Sequence, residues 1–361
     1  MPAGGIMSRI PTAVTRRSLV TRGTAGLAGL LLAGGLAACG GAASGASGSP
    51  GSITLYSGQH EQTTQSLVTA FEKQTGIHVN VRYNDEDSFA DEIIAEKSHP
   101  VADVVYTENS PVLEYLQNQG LLAPVNGSTL AKTPSKYNSP QGDWVGVSAR
   151  VSVLIYNPSM ISESQLPTSV LQLANPKYKG KLAFAAGETD FQPIVTSVLQ
   201  AYGKSATLKW LDGIKANAQS HVYADNETIA NEVNRGVVAF GVINQYYWYR
   251  LRAQIGKSNM HSLITYFMPR DPGYVIDVSG AGVVKSSSHK AAAQKFVNFL
   301  VSEKGQEVIA HSISFEYPIA SGVTTVQHET PFSDLQPYPI GVGQLGTGAR
   351  AIALLQEAQL L

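Results

Sequence analysis

Between residues 53 and 120 the sequence alternates three times between strand-type and helix-type patterning, and no other stretch restricts the fold as much. Residues 53–56, Ile-Thr-Leu-Tyr, read as a buried strand. Residues 62–75 carry Leu67, Val68 and Phe71 at helical spacing and close on Gly76, the residue type best suited to a left-handed C-cap. Residues 77–83 read as a second strand, 88–97 as a second helix and 102–106 as a third strand. A third helix, 112–119, is led in by Ser110-Pro111 and followed by Gly120. This β-α-β-α-β-α order predicts an α/β fold with a parallel sheet. Residues just past the carboxyl ends of such strands line the ligand crevice, a position that His60 and Glu108 share.

Further along, residues 144–156 form a nearly continuous β-type run that reads as a crossing between two lobes, with 273–284 as the return crossing. Residues 182–184 read as a strand. Thr189 or Asp190 caps a helix at 191–202, with Pro193 tolerated in its first turn. A helix at 207–215 turns Trp210 and Leu211 inward. Asn226-Glu227-Thr228 caps another at 229–234, which Gly236 ends. A strand at 237–243 then feeds a helix at 246–255 through Asn244, a good N-cap. Helices at 291–300, 303–310 and 349–358 complete the chain.

The strand-to-helix passage places Tyr246 and Tyr247 in a first helical turn. Neighbours there are about 100° apart around the axis, so two phenol oxygens can converge on one point. Two readings stand side by side. The pair is an aromatic helix start packed into a core with its polar tips bonded, or it is a pair of phenolates for a hard, highly charged cation. Trp248 and Tyr249 read as core or interface residues.

Composition excludes several classes. No basic stripe or nucleic-acid motif occurs, so nucleic acid is not an expected partner. The first 60 residues contain no Asp or Glu, but they contain Arg9, Arg16, Arg17 and Arg22 before a small, apolar run at 23–38. A basic start, an apolar run too short for a confident membrane span and small residues at its end make a secretory signal at 1–38. Its end, Leu36-Ala37-Ala38-Cys39, resembles the lipobox of bacterial lipoproteins, and Arg16-Arg17-Ser18-Leu19 resembles a twin-arginine export motif. Cys39 is the only cysteine, and lipidation explains a lone thiol in an exported chain. Removing the leader leaves 22 basic against 27 acidic residues, a net charge of −5. Residues 39–52, rich in Gly, Ala and Ser, read as a flexible tether. The expected location is therefore the outer face of the cytoplasmic membrane, or the periplasm, with a lipid anchor and no spanning helix.

Several segments together resemble the ferric-ion-binding family of bacterial ABC-importer substrate-binding proteins. They are Leu55-Tyr56-Ser57-Gly58-Gln59-His60, Ala102-Asp103-Val104-Val105-Tyr106-Thr107-Glu108 and Ile243-Asn244-Gln245-Tyr246-Tyr247-Trp248, with Arg270-Asp271-Pro272-Gly273, Ser279-Gly280-Ala281 and Glu316-Tyr317-Pro318. The resemblance implies a two-lobed, type II periplasmic-binding-protein fold with parallel-rich sheets and hinge strands. Residues 53–150 and 277–325 would form one lobe, and 151–276 and 326–361 the other. It implies Fe(III) as the transported ligand, held by His60, Glu108, Tyr246 and Tyr247 and enclosed by hinge closure. It also implies a permease and an ATPase as partners, and a monomeric receptor.

Two phenolates and a carboxylate neutralise Fe(III). A free tyrosine titrates near pH 10, so binding displaces phenolic protons and weakens as pH falls. The family also binds a small anion, carbonate or phosphate, beside the metal. Its residues there correspond to Asn226, Asn244 and Arg150. This chain departs from the family at Glu188-Thr189-Asp190, where many members have a small Ser-Gly-Ala-like turn. Two carboxylates repel phosphate, so either no phosphate binds or Glu188 or Asp190 supplies the charge instead. Asp190 also reads as a plain helix cap.

Two other readings are compatible with the fold. One is a receptor for a small organic solute, with Tyr246, Tyr247 and Trp248 as an aromatic wall and Arg150 as a carboxylate clamp. The other is an extracytoplasmic metal-dependent hydrolase, which has no H-E-x-x-H, G-x-S-x-G or paired-metal motif behind it. His78, His99, His221, His261, His289, His311 and His328 show no paired metal spacing.

Overall fold

The computed structural model describes residues 51–361 except 98, 321, 326 and 329; the leader, Cys39 and most of the tether lie outside the described residues. The first third follows the expected alternation: β1 (Ser52–Ser57), α1 (Glu61–Thr75), β2 (His78–Tyr83), α2 (Glu86–Glu96), β3 (Val104–Thr107) and α3 (Ser110–Asn118). Next come β4 (Leu122–Ala123), α4 (Gly127–Leu130), β5 (Trp144–Tyr156), β6 (Leu182–Ala183), α5 (Gln192–Ala218) and α6 (Asn226–Asn234). Then follow β7 (Phe240–Asn244), α7 (Gln245–Ile255), β8 (Leu263–Thr265), β9 (Ile276–Val284), α8 (Lys290–Leu300), α9 (Glu303–Ala310) and β10 (Tyr317–Pro318). Two C-terminal helices, α10 (Val342–Leu345) and α11 (Ala349–Glu357), end the chain.

The main strands lie in the order β2-β1-β3-β9-β5-β7-β6. β5 joins the two lobes within one unbroken strand. It pairs antiparallel with β9 from Trp144 to Val151, and from Ser152 to Tyr156 it pairs with β7. Every residue of β5 is buried, which fits a strand shared by both cores. The sheet is mixed rather than parallel-rich throughout. β1 runs parallel to β2 and β3, and β6 runs parallel to β7, each through a helical crossover. The crossing strands β5 and β9 run antiparallel to their neighbours because they leave one lobe while the chain beside them returns.

Each lobe has its own apolar packing. In the first, Phe71 of α1 meets Phe296 and Phe299 of α8 edge-on at 5.0 and 5.5 Å. In the second, Phe191 stacks between Phe184 and Trp210, with ring centroids 5.2 and 6.1 Å away. Among the described residues no helix is long and apolar enough to cross a membrane.

Three local expectations change. The helices read at 191–202 and 207–215 run together as α5 and are broken at Gly203, whose φ of 78° is open to glycine. The strand read from 237 begins only at Phe240, because the α6 turn continues through Gly236 at φ 76°. Asp225, not Asn226, caps α6, accepting the Thr228 amide at 2.6 Å. In the C-terminal segment α11 packs on α5, and α10 packs on α3 and α5.

Candidate metal centre

Parallel pairing of β1 with β3 brings the ends of both strands to one edge of the first lobe. His60 stands at the start of α1 and Glu108 directly after β3. His60 Nε2 lies 3.3 Å from Glu108 Oε1, yet it is buried and makes no hydrogen bond. From the other lobe, the first turn of α7 presents Tyr246 and Tyr247, their rings 4.1 Å apart and tilted by 31°. Asn244 sits at the N-cap position of α7 as read from the sequence, but its side chain makes no capping hydrogen bond.

The two phenols converge on one carboxylate oxygen. Asp190 Oδ2 lies 3.1 Å from the Tyr246 hydroxyl and 3.0 Å from the Tyr247 hydroxyl. It also accepts the Asn226 amide at 3.3 Å. Tyr246 is in turn 2.9 Å from Glu108 Oε1. His60 Nε2, Glu108 Oε1, the Tyr246 oxygen, Asp190 Oδ2 and the Tyr247 oxygen thus form a chain with steps of 3.3, 2.9, 3.1 and 3.0 Å. Around a small hard cation with bonds of about 2.0–2.1 Å in octahedral geometry, neighbouring ligand atoms are about 2.9 Å apart. The spacing therefore suits such a cation after small movements. Asp190 does not act as the plain helix cap: Phe191 is the N-cap of α5, Glu188 that of the single 3-10 turn before it, and the Asp190 side chain meets the phenols.

Arg150, fully buried on β5, governs the charge around this group. Its Nη1 donates to Asn109 Oδ1 at 2.7 Å and to the Glu108 carbonyl, and its Nη2 donates to Glu316. The guanidinium also lies 3.8 Å from Glu108 Oε1 and 4.0 Å from Asp190 Oδ1. Burial raises the Glu108 carboxyl, but His60 and Arg150 outweigh it and hold that group below the usual range. Burial pushes Asp190 up to about 6 against the pull of Arg150. Glu188 rises to about 7 through burial and the neighbouring Asp190 charge. Burial, then the Asp190 and Glu108 charges, push both tyrosines well above the ordinary phenol value.

His60, Glu108, Tyr246, Tyr247, Arg150, Asp190 and Asn226 are thus brought together. Glu188 sits at the margin, accepting the Asn226 backbone N–H at 3.4 Å. Thr189 bonds to Asn109 rather than to the cluster's oxygens.

Three buried residues escaped the sequence reading. Glu316 places a carboxylate oxygen within 4.8 Å of ligand atoms on His60 and Glu108. Its oxygens are already taken by Arg150, by Gln59 Nε2 at 3.0 Å and by Ser148 Oγ at 2.7 Å, which makes it the counterion of Arg150. Glu86 accepts the backbone amides of Glu108 at 2.7 Å and Asn109 at 3.0 Å, and Asn109 itself contacts Arg150. The Glu316-Tyr317-Pro318 motif was the available signal for the first. For Glu86, helix α2 begins two residues earlier than its apolar pattern indicates.

Comparison with known proteins adds the family. Residues 99–339 match the model of the bacterial extracellular solute-binding proteins. The chain is 37% identical over 309 residues to an Fe(3+)-binding periplasmic protein of Serratia marcescens, covering 86% of this chain and 90% of that one. The chain belongs to the ferric-ion-binding family of bacterial extracellular solute-binding proteins. It is 34% identical to the major ferric iron-binding protein of Neisseria meningitidis serogroup A, over 85% of this chain and 92% of that one. Iron-bound HitA from Pseudomonas aeruginosa superposes with a TM-score of 0.81 at 38% identity, covering 86% of this chain and 99% of HitA. The fold is accordingly the two-lobed type II periplasmic-binding-protein arrangement. Membership in a family of transport receptors decides against the hydrolase reading.

Proposed function

We propose that this protein captures Fe(III) between its lobes for an ABC importer. His60, Glu108, Tyr246 and Tyr247 are the ligands carried by the family resemblance, and Asp190 is a fifth. The observation that carries the reading is the convergence of both phenol oxygens on Asp190 Oδ2, with Glu108 and His60 continuing the same line of donor atoms. An oxygen-rich set with one imidazole suits a hard trivalent ion better than it suits copper or zinc. The phenolates and Glu108 neutralise the ion. Asp190 adds a fourth negative charge where the family resemblance implies an anion, and the guanidinium of Arg150 at 4.0 Å offsets it. Carbonate or phosphate is therefore not required here.

Residues 53–150 and 277–325 serve as the first lobe, and 151–276 with 326–361 as the second. Lipid on Cys39 tethers a monomeric receptor through residues 40–52, and a permease with its ATPase receives the ion.

The test is a titration of the mature chain with ferric citrate, followed by visible absorption, beside a Tyr246→Phe, Tyr247→Phe double variant. A phenolate-to-iron charge-transfer band in the parent and none in the variant is the expected result. No band in either protein at neutral pH would remove the phenolate site and return the organic-solute reading.

A further inference from the structure

Asn109 is 1% exposed and follows Glu108 directly. All its side-chain atoms are engaged. Oδ1 accepts Arg150 Nη1 at 2.7 Å, and Nδ2 donates to Glu86 Oε1 at 3.2 Å and to Thr189 Oγ1 at 2.8 Å. These partners fix which way the amide points. Turned over, its NH2 would face a guanidinium and its carbonyl would face a carboxylate, both repulsive. Its backbone N–H donates to Glu86 Oε2 at 3.0 Å, which pins the residue to the first lobe a second time. The Thr189 contact leaves that lobe: Thr189 lies on the segment between β6 and α5, next to Asp190.

We propose that Asn109 is a positioning residue that stabilises closure of the lobes over the ion, through its hydrogen bond to Thr189 across the cleft. The inference rests on the iron(III) reading above. Another cross-cleft contact runs through a phenol, Tyr246 to Glu108 at 2.9 Å within the candidate ligand set. Once a cation displaces the phenolic proton, that contact is no longer a hydrogen bond and becomes a shared coordination edge. The Asn109–Thr189 bond carries no titrating proton and touches no ligand atom. It therefore holds in the closed state whether the site is loaded or empty. It also aligns the Glu108 turn of one lobe with the Asp190 turn of the other, since each partner is one residue from a candidate ligand. Glu86 and Arg150 hold the amide ready before the lobes meet, so closure orders only the Thr189 side.

The test compares the parent mature chain with Thr189→Val, which keeps the shape and loses the acceptor, and with Thr189→Ser, which restores it. Each protein is loaded with Fe(III), and loss of the charge-transfer band is timed after adding excess chelator. The valine variant is expected to release iron roughly fivefold to tenfold faster, the factor set by one hydrogen bond of ordinary net strength. Its band position at saturation stays parental, because the ligand set is intact, and the serine variant releases at the parental rate. Small-angle scattering of the iron-free valine variant is expected to give a larger radius of gyration than the parent. Parental release and scattering in the valine variant would overturn the proposal while leaving iron binding in place. A shifted band would also overturn it, because Thr189 would then act on the ligands and not on closure. Absence of the band from the parent would overturn the iron reading and this inference together.

Discussion

Proton release offers the sharpest check of the site, because the structure sets the count. In the empty protein both phenols are protonated at any physiological pH, since burial and two nearby carboxylates hold their titration far above the ordinary value. Both must lose their protons to bind a metal. Asp190 titrates at about 6, Glu188 at about 7 and Glu86 at about 8, so all three are largely ionised near pH 9. At that pH only the phenols contribute, and Fe(III) capture is expected to release about two protons. Each released proton makes affinity tenfold more pH-sensitive, so two weaken binding about a hundredfold for each pH unit lost. Near pH 6 Asp190, pushed up by burial, is partly protonated and must also ionise, so more protons are expected to be released there than near pH 9. The sign follows from the same groups: protons compete with the ion, and lower pH favours release. A pH-stat records the base needed on adding ferric citrate, after subtracting the chelator's own uptake. Tyr247→Phe is expected to release one proton fewer near pH 9. A parental count near zero there, or an unchanged count in Tyr247→Phe, would refute phenolate ligation.

Two further outcomes follow from the charges around the site. Asp190→Ala is expected to weaken iron binding in anion-free buffer and to regain part of it when phosphate or carbonate is added, while the parent responds to neither; competition against a chelator at several phosphate concentrations measures this. Glu316→Ala leaves Arg150 buried with its closest counterion gone and is expected to destabilise the iron-free chain by about 3–5 kcal/mol, read as a fall in the urea midpoint.

The first third of the fold was legible because strand and helix patterning alternate cleanly there, and because the residues past β1 and β3 are fixed by that alternation. His60 and Glu108 meet for that reason alone. The tyrosine pair was legible as a helix start, but not its target. Asp190 reaches it from a segment 56 residues earlier, and no local pattern records a contact made across a cleft. Local rules misled twice at this point. A carboxylate before a helix reads as a cap, yet Asp190 faces the phenols. Asn226 in a polar helix start also reads as a cap, yet Asp225 takes that role and frees the Asn226 amide for Asp190. Glu316 and Glu86 are charged residues that burial makes expensive unless paired, and their partners lie 166 and 22 residues away.

On the iron(III) reading, the hydrogen bonds among the candidate ligands bear on both capture and release. Closing a cleft over two phenols, two carboxylates and an imidazole would be costly if they were left unbonded. Here Tyr247 donates to Asp190, and the single Tyr246 proton goes to Glu108 or to Asp190, so both phenols are hydrogen-bonded within the ligand set. His60 Nε2 remains without a hydrogen bond, and so does Asp190 Oδ1. An arriving cation replaces two protons with one centre and satisfies the imidazole at the same time. The exchange is near-balanced in hydrogen bonds and strongly favourable in charge, since the ion replaces two neutral phenols by phenolates bound to +3. On the proposed reading release is the reverse: the lobes part at the Asn109–Thr189 contact, water enters, and protons return to the phenols. A lower local pH or a partner that pulls the lobes apart drives the same step.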